Sequence, residues 1–343
     1  MRLINKLAYC LAAAVPVVAL AGCSSGGSAT PSGPPPEQST IVLDAVPTGD
    51  EAGIYIAQDD GFFKQQGLTV KIVPVGGGEL AMPDLQDNKA QLVAGNYVSF
   101  ILAQMAGSFD GKPISMRMIA DCSQMQPGNQ ALFVMPGSPF TTVAELAKAH
   151  ATVGVNTLHN IGSVLLGSLL TANGYDLGSI KQVALPLPDM PELLAEHKVE
   201  AAWMPEPFAT MAEQQYGAVE LADFDQGSLE NFPIGTIVGN TKWIQTHPNT
   251  VAAFLRAFQE GQQIADTDRQ AVEQALVQNH VAATAELAAT MTLDTYPLVM
   301  DVPVMQRVPD AMYEFGVTKT EYDIAKMIQP EPGEITMSAS GVP

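Results

Sequence analysis

The sequence predicts an α/β protein of two lobes, and three observations support this prediction. From Ile41 onward, strand-like and helix-like segments alternate, as in a largely parallel sheet flanked by helices. The chain has 343 residues, which is more than a single hydrophobic core usually holds. A block of mostly helical segments from Asn249 follows a complete α/β unit. We therefore expect two lobes, each with a mixed, mostly parallel sheet, and a chain that returns to its first lobe.

Short apolar or alternating runs predict the strands. In the second of them, apolar Leu68, Val70 and Ile72 alternate with polar residues, which is the period of a strand with one polar face. The predicted strands comprise residues 41–45, 68–72, 116–120, 131–135, 152–155, 183–187, 199–203 and 236–238.

Apolar spacing and end signals predict the helices. Thr142 and Glu145 have the spacing of a capping box, in which each side chain satisfies a free backbone amide, so a helix is expected to begin there. Asn173 and Gly174 are expected to end a later helix. The other predicted helices lie within residues 53–63, after Gly78 toward residue 88, around residues 193–194, and from residue 249 onward.

The first residues have the pattern of a bacterial lipoprotein signal peptide. A basic start precedes an apolar run over residues 7–20, and small residues lie just before Cys23. The apolar run is too short for a mature membrane span, which needs ~20 residues. We expect residues 1–22 to be removed and Cys23 to carry lipid such as palmitate, which would hold the protein to the outer face of the cell membrane. An ordinary secretory signal with a chance cysteine is the alternative.

These boundaries give a predicted organisation of the whole chain. Residues 23–39 consist almost entirely of Ser, Gly, Ala, Thr and Pro and are expected to form a flexible tether. The first part of lobe 1 is assigned to residues 40–135, lobe 2 to residues 136–230, the mostly helical second part of lobe 1 to residues 231–330, and a loose tail to residues 331–343. Hinges are expected near residues 135–138 and 227–234.

Charge and cysteine content exclude several classes of protein. The formal net charge is −20, so nucleic acid and anionic lipid surfaces would be repelled. If Cys10 leaves with the signal peptide and Cys23 is acylated, Cys122 has no intramolecular partner. The five histidines lack the spacing of a metal site. We therefore expect no disulfide, no metal, no cofactor, no nucleic-acid partner and a monomer.

Several segments, in order, resemble the SsuA/THI5-like (NMT1) substrate-binding proteins. Residues 53–68 are similar to that family's first helix and following strand, residues 80–97 to its next helix and strand, residues 138–155 to a capped helix and strand, and residues 200–208 to its Glu-Pro-Phe motif. The resemblance implies a type II periplasmic-binding-protein fold with a ligand cleft between the lobes. It also implies an ABC permease and its ATPase as partners of a small-molecule-binding protein.

Ligands of open α/β sheets lie beyond the carboxyl ends of the strands, and this rule selects the candidate binding loops. These loops contain acidic residues but no lysine or arginine. The balance favours an amine, a nitrogen heterocycle or a thiamine precursor, with carboxylates as acceptors and aromatic rings for stacking. The candidate ligand-binding residues are Thr48, Asp50, Glu51, Tyr55, Gly77, Asn96, Tyr97, Ser123, Asn156, His159, Ser163, Trp203 and Glu206.

Alternatives remain open for the ligand and for the function. Nitrate, a sulfonate or taurine could bind to backbone amides in the same loops. The carboxylates could instead favour helix N-termini, and the aromatic residues could belong to the core. A ligand sensor would have the same sequence features. His159, Cys122 and Glu206 could be drawn as a hydrolytic trio, and the family resembles pyrimidine-precursor synthases, but no nucleophile signature is present, so we expect no catalytic residues and no enzyme.

Overall fold

The computed structural model describes residues 33–329. The predicted signal peptide, Cys23 and the tail 331–343 lie outside these residues. The strands are β1 (Thr40–Ala45), β2 (Thr69–Pro74), β3 (Leu92–Asn96), β4 (Ser108–Phe109), β5 (Lys112–Pro113), β6 (Met116–Gln124), β7 (Gln130–Val134), β8 (Thr152–Val155), β9 (Lys181–Ala184), β10 (Ala201–Pro205), β11 (Val219–Asp223) and β12 (Pro233–Asn240).

The α-helices lie between and after these strands. They are α1 (Ala52–Asp59), α2 (Phe62–Gln65), α3 (Met82–Gln86), α4 (Tyr97–Ala106), α5 (Val143–Lys148), α6 (Ile161–Ala172), α7 (Met190–Ala195), α8 (Phe208–Tyr216), α9 (Thr241–Thr246), α10 (Pro248–Thr267), α11 (Arg269–Gln278), α12 (Ala285–Thr290) and α13 (Val302–Glu314).

Two five-stranded mixed sheets form the two lobes, which confirms the predicted fold class. The sheet of lobe 1 has the order β2-β1-β3-β12-β6, and the sheet of lobe 2 has the order β11-β7-β10-β8-β9. In lobe 1, β1 pairs in parallel with β2 and β3, and β12 pairs antiparallel with β3 and β6. In lobe 2, β8 pairs in parallel with β9 and β10, and β7 pairs antiparallel with β10 and β11.

The chain crosses between the lobes earlier than predicted. The sequence analysis assigned residues up to Met135 to lobe 1, but β7 lies in the sheet of lobe 2. Leu132 of β7 is paired with Trp203 of β10, a partner that is distant in the sequence. The first crossing therefore runs through residues 125–129, so the segment 135–138, where a hinge was expected, does not connect the lobes. The return crossing lies between β11 and β12, at residues 224–232.

Local sequence signals explain where several helices begin or end. The capping box of Thr142 and Glu145 is present at the start of α5. The predicted helix 53–63 is two helices, because Gly61 has a φ of 75°, which breaks the helix between α1 and α2. Asn96 caps α4, since its side chain accepts a hydrogen bond from the amide of Ser99.

The late helices return to lobe 1, as expected. Helix α10 packs closely on α1: a Cβ built on Gly261 would lie 2.2 Å from the carbonyl oxygen of Gly53. Helix α13 ends against lobe 2, since a Cβ on Gly167 of α6 would lie 2.6 Å from Cβ of Phe315. The C-terminal helices therefore complete lobe 1 and also contact the back of lobe 2.

Part of the predicted tether is bound to lobe 1. Glu37 accepts hydrogen bonds from the backbone amides of Asn249 and Thr250, near the start of α10. Gln38 accepts a hydrogen bond from the indole of Trp243, and the carbonyl of Ser39 accepts one from the amide of Thr69. The composition of residues 23–39 did not indicate these bonds. Glu37, Gln38 and Ser39 are attached to lobe 1, so the predicted flexible tether is at least three residues too long.

Candidate functional site

A small cavity lies between the lobes at the carboxyl ends of the parallel strands. Its volume is about 30 Å³, enough for one small polar group. Strands β1, β3, β8 and β10 contribute residues at or just after their ends, and the antiparallel strands β7 and β12 contribute residues at their beginnings. We call this cavity the inner chamber; it is lined by Val46, Thr48, Asp50, Glu51, Gly95, Asn96, Gln130, Asn156, Ile161, Leu187, Trp203, Pro205 and Ile234.

Two adjacent carboxylates share one hydroxyl at the floor of the inner chamber. The Thr48 hydroxyl lies 2.5 Å from Asp50 Oδ2 and 2.9 Å from Glu51 Oε2. Ser123 donates to Asp50 Oδ1 at 2.7 Å and accepts from the amide of Gly235. Because the Thr48 hydroxyl has a single proton, it can donate to one carboxylate only. A proton on the other carboxyl group would allow both contacts to be hydrogen bonds.

Burial and mutual repulsion favour protonated carboxyl groups here. Burial raises the pKa of Glu51 well above its ordinary value, and the nearby charges of Asp50 and Asp294 raise it further. Burial also raises the pKa of Asp50, against the lowering effect of its bonds with Thr48 and Ser123. The floor of the chamber therefore attracts either protons or a cationic ligand.

A third carboxylate lies behind this pair. Asp294 accepts a hydrogen bond from Asn129 at 2.5 Å, and a Cβ on Gly49 would lie 3.2 Å from its Oδ2. Burial raises its pKa well above the ordinary value, and the charges of Asp50 and Glu206 add to the effect. Asp294 was not predicted, because it lies in the irregular segment between α12 and α13, where no strand end indicates a site.

Two oxygen atoms around the inner chamber lack a partner within the described part of the chain. Glu51 Oε1 and Asn156 Oδ1 are both buried without a hydrogen bond. Glu51 has a relative exposure of 1% and belongs to lobe 1, whereas Asn156 belongs to lobe 2. A buried acceptor without a donor costs about 1–3 kcal/mol. A ligand that donates hydrogen bonds to both lobes would remove this cost.

Glu79 connects the lobes beside the cleft. Its carboxylate accepts hydrogen bonds from Ser99 of lobe 1 at 2.9 Å, from Thr157 of lobe 2 at 2.5 Å and from Asn160 of lobe 2 at 3.1 Å. Asn160 also donates to the Ser99 hydroxyl. These bonds join the turn before α3 to the beginning of α6 and hold the two lobes to each other on this side of the cleft.

We expect Glu79→Ala to shift the protein toward an open form. The substitution removes two bonds between the lobes, each worth about 0.5–1.5 kcal/mol, or more if the carboxylate is charged. The radius of gyration of the ligand-free protein, measured by small-angle X-ray scattering, should increase. The neighbouring Leu80→Ala, at a side chain that is 64% exposed, serves as the control and should leave the radius unchanged. Equal radii for Glu79→Ala and the wild type would contradict the role of Glu79.

Seven of the thirteen predicted ligand-binding residues lie at the inner chamber or directly support it. Ser123 supports Asp50 from behind, and Trp203 donates its indole N–H to Gln130 on the wall of lobe 2. The side-chain oxygen of Asn96 already accepts a hydrogen bond, because it caps the beginning of α4. The residues that line the chamber are Thr48, Asp50, Glu51, Asn96, Asn156 and Trp203.

The remaining predicted residues do not line the chamber. Tyr55 and Tyr97 are buried in hydrophobic cores, since each faces inward from its helix. Ser163 donates to Gln182 inside lobe 2, at 2.5 Å. His159 is exposed, and Gly77 lies beside Glu79, whose Oε1 would be 2.5 Å from a Cβ at that position.

Glu206 has a structural environment. It accepts hydrogen bonds from the amide and hydroxyl of Thr210 and from the amide of Thr292. Its carboxylate therefore caps the beginning of α8 and ties lobe 2 to the segment before α13. The loop that carries Glu206 reaches the inner chamber through Pro205, but the Glu206 side chain is directed elsewhere.

Several residues that line the inner chamber were not among the predicted ligand-binding residues. Gly95, Pro205 and Ile234 fall in or beside loops that the strand-end rule selected, so the signal was present in the sequence. Gln130 and Leu187 were not indicated, because their loops could be placed at the cleft only once the pairing of β7 and the path of residues 185–190 were known.

Residues 33–329 contain neither a metal-binding cluster nor a membrane-spanning helix. No group of three or more His, Cys, Asp or Glu side chains there could hold a metal ion. No helix among those residues is long and apolar enough to cross a membrane.

Two sheet-based lobes with a polar cavity between them define the class of type II periplasmic binding proteins. The chain belongs to the NMT1-like family, whose sequence model matches residues 34–281. No curated protein sequence matches the chain.

Solved structures share this fold at low sequence identity. The periplasmic nitrate-binding protein NrtA from Synechocystis PCC 6803 is 17% identical, with a TM-score of 0.74 over 85% of each chain. The alkanesulfonate-binding protein SsuA from Xanthomonas axonopodis pv. citri, bound to MOPS, is 15% identical, with a TM-score of 0.70 over 85% of this chain and 99% of that one. The desulfurization enzyme DSZB is 16% identical, with a TM-score of 0.63 over 86% of this chain and 97% of that one.

Proposed function

We propose that this protein is the extracytoplasmic solute-binding component of an ABC importer. It captures a small molecule in the cleft between its lobes and presents the closed form to a permease and its ATPase. The observation that carries the proposal is the inner chamber, to which both lobes contribute residues at the ends of their strands. A ligand in contact with both lobes stabilises the closed form, because the open form lacks half of these contacts.

The ligand that we propose is a small nitrogen-containing molecule, such as an amine or an amine-bearing heterocycle of the thiamine-precursor kind. Two observations support it. The chamber wall carries Asp50 and Glu51 without a lysine or arginine. Its unpaired atoms, Glu51 Oε1 and Asn156 Oδ1, are acceptors that need a donor.

A nitrate or sulfonate ligand is the second candidate. Proteins of the same fold are described as nitrate-binding and alkanesulfonate-binding. An anion in the inner chamber would have to be held by backbone amides and would require protons on Asp50 and Glu51, whereas a cation would favour their charged forms. The acidic wall therefore favours the nitrogen-containing ligand.

We further propose that Cys23 carries the lipid that holds the protein, as a monomer, to the outer face of the membrane. The sequence pattern before Cys23 supports this. Metabolic labelling with a palmitate analogue should mark the wild type but not Cys23→Ser. Binding without turnover is the proposed activity, and a sensor that signals through the same closure is the alternative role.

Ligand screening tests the proposed function. Thermal unfolding of the purified protein would be followed with amines, thiamine and its pyrimidine precursors, alkanesulfonates, taurine and nitrate. A ligand at a hundredfold excess over its Kd stabilises the native form by about 2.7 kcal/mol, which raises the melting temperature. Scattering should then show compaction with each ligand that binds. The proposal would be contradicted if none of the tested ligands caused compaction, or if the protein converted one of the tested ligands into a product.

A further inference from the structure

The interlobe cleft has a second, larger compartment. A cavity of about 270 Å³ lies next to the inner chamber, with the exposed residues Pro74, Pro186 and Pro188 in its wall, and we call it the outer chamber. It shares two wall residues, Val46 and Leu187, with the inner chamber. The two cavities are therefore adjacent parts of one cleft, a small polar one inside and a larger one outside.

The wall of the outer chamber is apolar and rigid. Each lobe contributes two prolines, namely Pro47 and Pro74 from lobe 1 and Pro186 and Pro188 from lobe 2, and Phe208 adds an aromatic face. Proline rings have fixed backbone angles and no N–H group, so this wall offers hydrocarbon and few hydrogen-bond donors. Such a compartment binds the apolar part of a ligand and loses little conformational entropy in doing so.

The inner chamber differs because it adds carboxyl, hydroxyl and amide side chains to a lining that is otherwise apolar. Its space of about 30 Å³ admits one small polar group, and its unpaired atoms are the acceptors Glu51 Oε1 and Asn156 Oδ1. The neighbouring Asp50, which shares the Thr48 hydroxyl with Glu51, is a second carboxyl group that a bound cation would favour in its charged form. An ammonium group matches this environment, because it supplies several donors and a positive charge in a small volume.

We infer that the ligand is an apolar amine, whose ammonium group lies in the inner chamber between Glu51 and Asn156 and whose hydrocarbon part occupies the outer chamber. This inference rests on the proposed function and names the substrate class of the same cleft. The ammonium group enters first and the hydrocarbon part faces the mouth of the cleft. Closure then brings the paired prolines of the two lobes together around the hydrocarbon.

A series of straight-chain amines tests the inference. Calorimetric titration of the purified full chain with ethylamine, butylamine and hexylamine should show affinity rising about fourfold for each added methylene, which is the gain from burying one CH₂ group. The rise should stop once the chain outgrows the outer chamber. Alkanesulfonates of the same lengths should bind much more weakly, since their head group has the wrong charge.

Variants assign the two parts of the ligand to the two chambers. Pro188→Ser introduces a hydroxyl at an exposed position of the outer chamber, so it should reduce the gain per methylene without unfolding the protein. Asn156→Leu removes the acceptor that lobe 2 offers to the ammonium group and should weaken binding of the whole amine series equally. Tyr313→Ala, at a side chain that is 46% exposed and outside the cleft, is the control and should change neither quantity.

The outcomes separate this inference from the proposed function. Amine binding that is independent of chain length would overturn the assignment of the outer chamber. Sulfonate binding without amine binding would overturn the ammonium head group. In both cases a ligand-dependent compaction would leave the solute-binding function intact. Absence of binding to both series would overturn the inference, and the broader ligand screen would then decide the function separately.

Discussion

Glu51→Gln is expected to lower the affinity for butylamine by about one to two orders of magnitude. The carboxylate is buried, and among the described residues of lobe 1 that line the inner chamber, its Oε1 is the only buried side-chain acceptor without a partner. A hydrogen bond to a charged group contributes about 1.5–3 kcal/mol, and glutamine keeps the shape but loses the charge. Calorimetric titration of both proteins measures the difference.

The same substitution should not destabilise the fold. Glutamine removes a carboxylate that Asp50 and Asp294 repel, so the melting temperature of the ligand-free variant should equal or exceed that of the wild type. Glu192→Gln, the same change at an exposed position of α7, is the matched control and should bind butylamine normally. Undiminished binding by Glu51→Gln would remove the main reason for preferring a cationic ligand.

The free energy of unfolding is expected to be higher at pH 5 than at pH 8. Burial raises the pKa of Asp121 to about 7, and it raises that of Asp44, together with the charge of Asp84, to about 6. A carboxyl group with a raised pKa binds its proton more tightly in the folded protein. Its contribution is therefore complete below the unfolded pKa of about 3.9 and is lost as the pH rises through the folded value.

Asp121 should account for much of this dependence. It is 4% exposed, and a pKa shift of about three units corresponds to about 4 kcal/mol, of which about 3 kcal/mol is lost between pH 5 and pH 8. Urea unfolding at the two pH values would measure the loss. Asp121→Asn should reduce the difference between them by that amount, whereas Asp266→Asn, at an exposed site of α10, should not. A wild type that is equally stable at both pH values would contradict the argument.

The fold was predictable because its signals are local. Alternating and apolar runs identified most strands, and the Thr142–Glu145 capping box marked the start of α5. The sheet that a strand joins is not a local property. β7 was found as a strand but assigned to the wrong lobe, since its pairing with β10 depends on residues about 70 positions away.

The site was predictable to the level of loops rather than side chains. The strand-end rule found Thr48, Asp50, Glu51 and Asn156, which lie directly after parallel strands. It could not determine the direction of a side chain on a helix, so Tyr55 was predicted for the cleft although it packs in the core. Asp294 does not follow a strand, and it lies near Asp50 and Glu51 only in the folded chain.

The bonds of Glu37, Gln38 and Ser39 have a mechanical consequence. These residues attach the beginning of the described chain to the start of α10, to Trp243 and to β2, all of which belong to lobe 1. A force applied to the N-terminal segment therefore acts on lobe 1 and not on the contacts between the two lobes. If the chain is held to a surface at this end and the proposed closure takes place, lobe 1 stays fixed relative to that surface and lobe 2 is the part that moves.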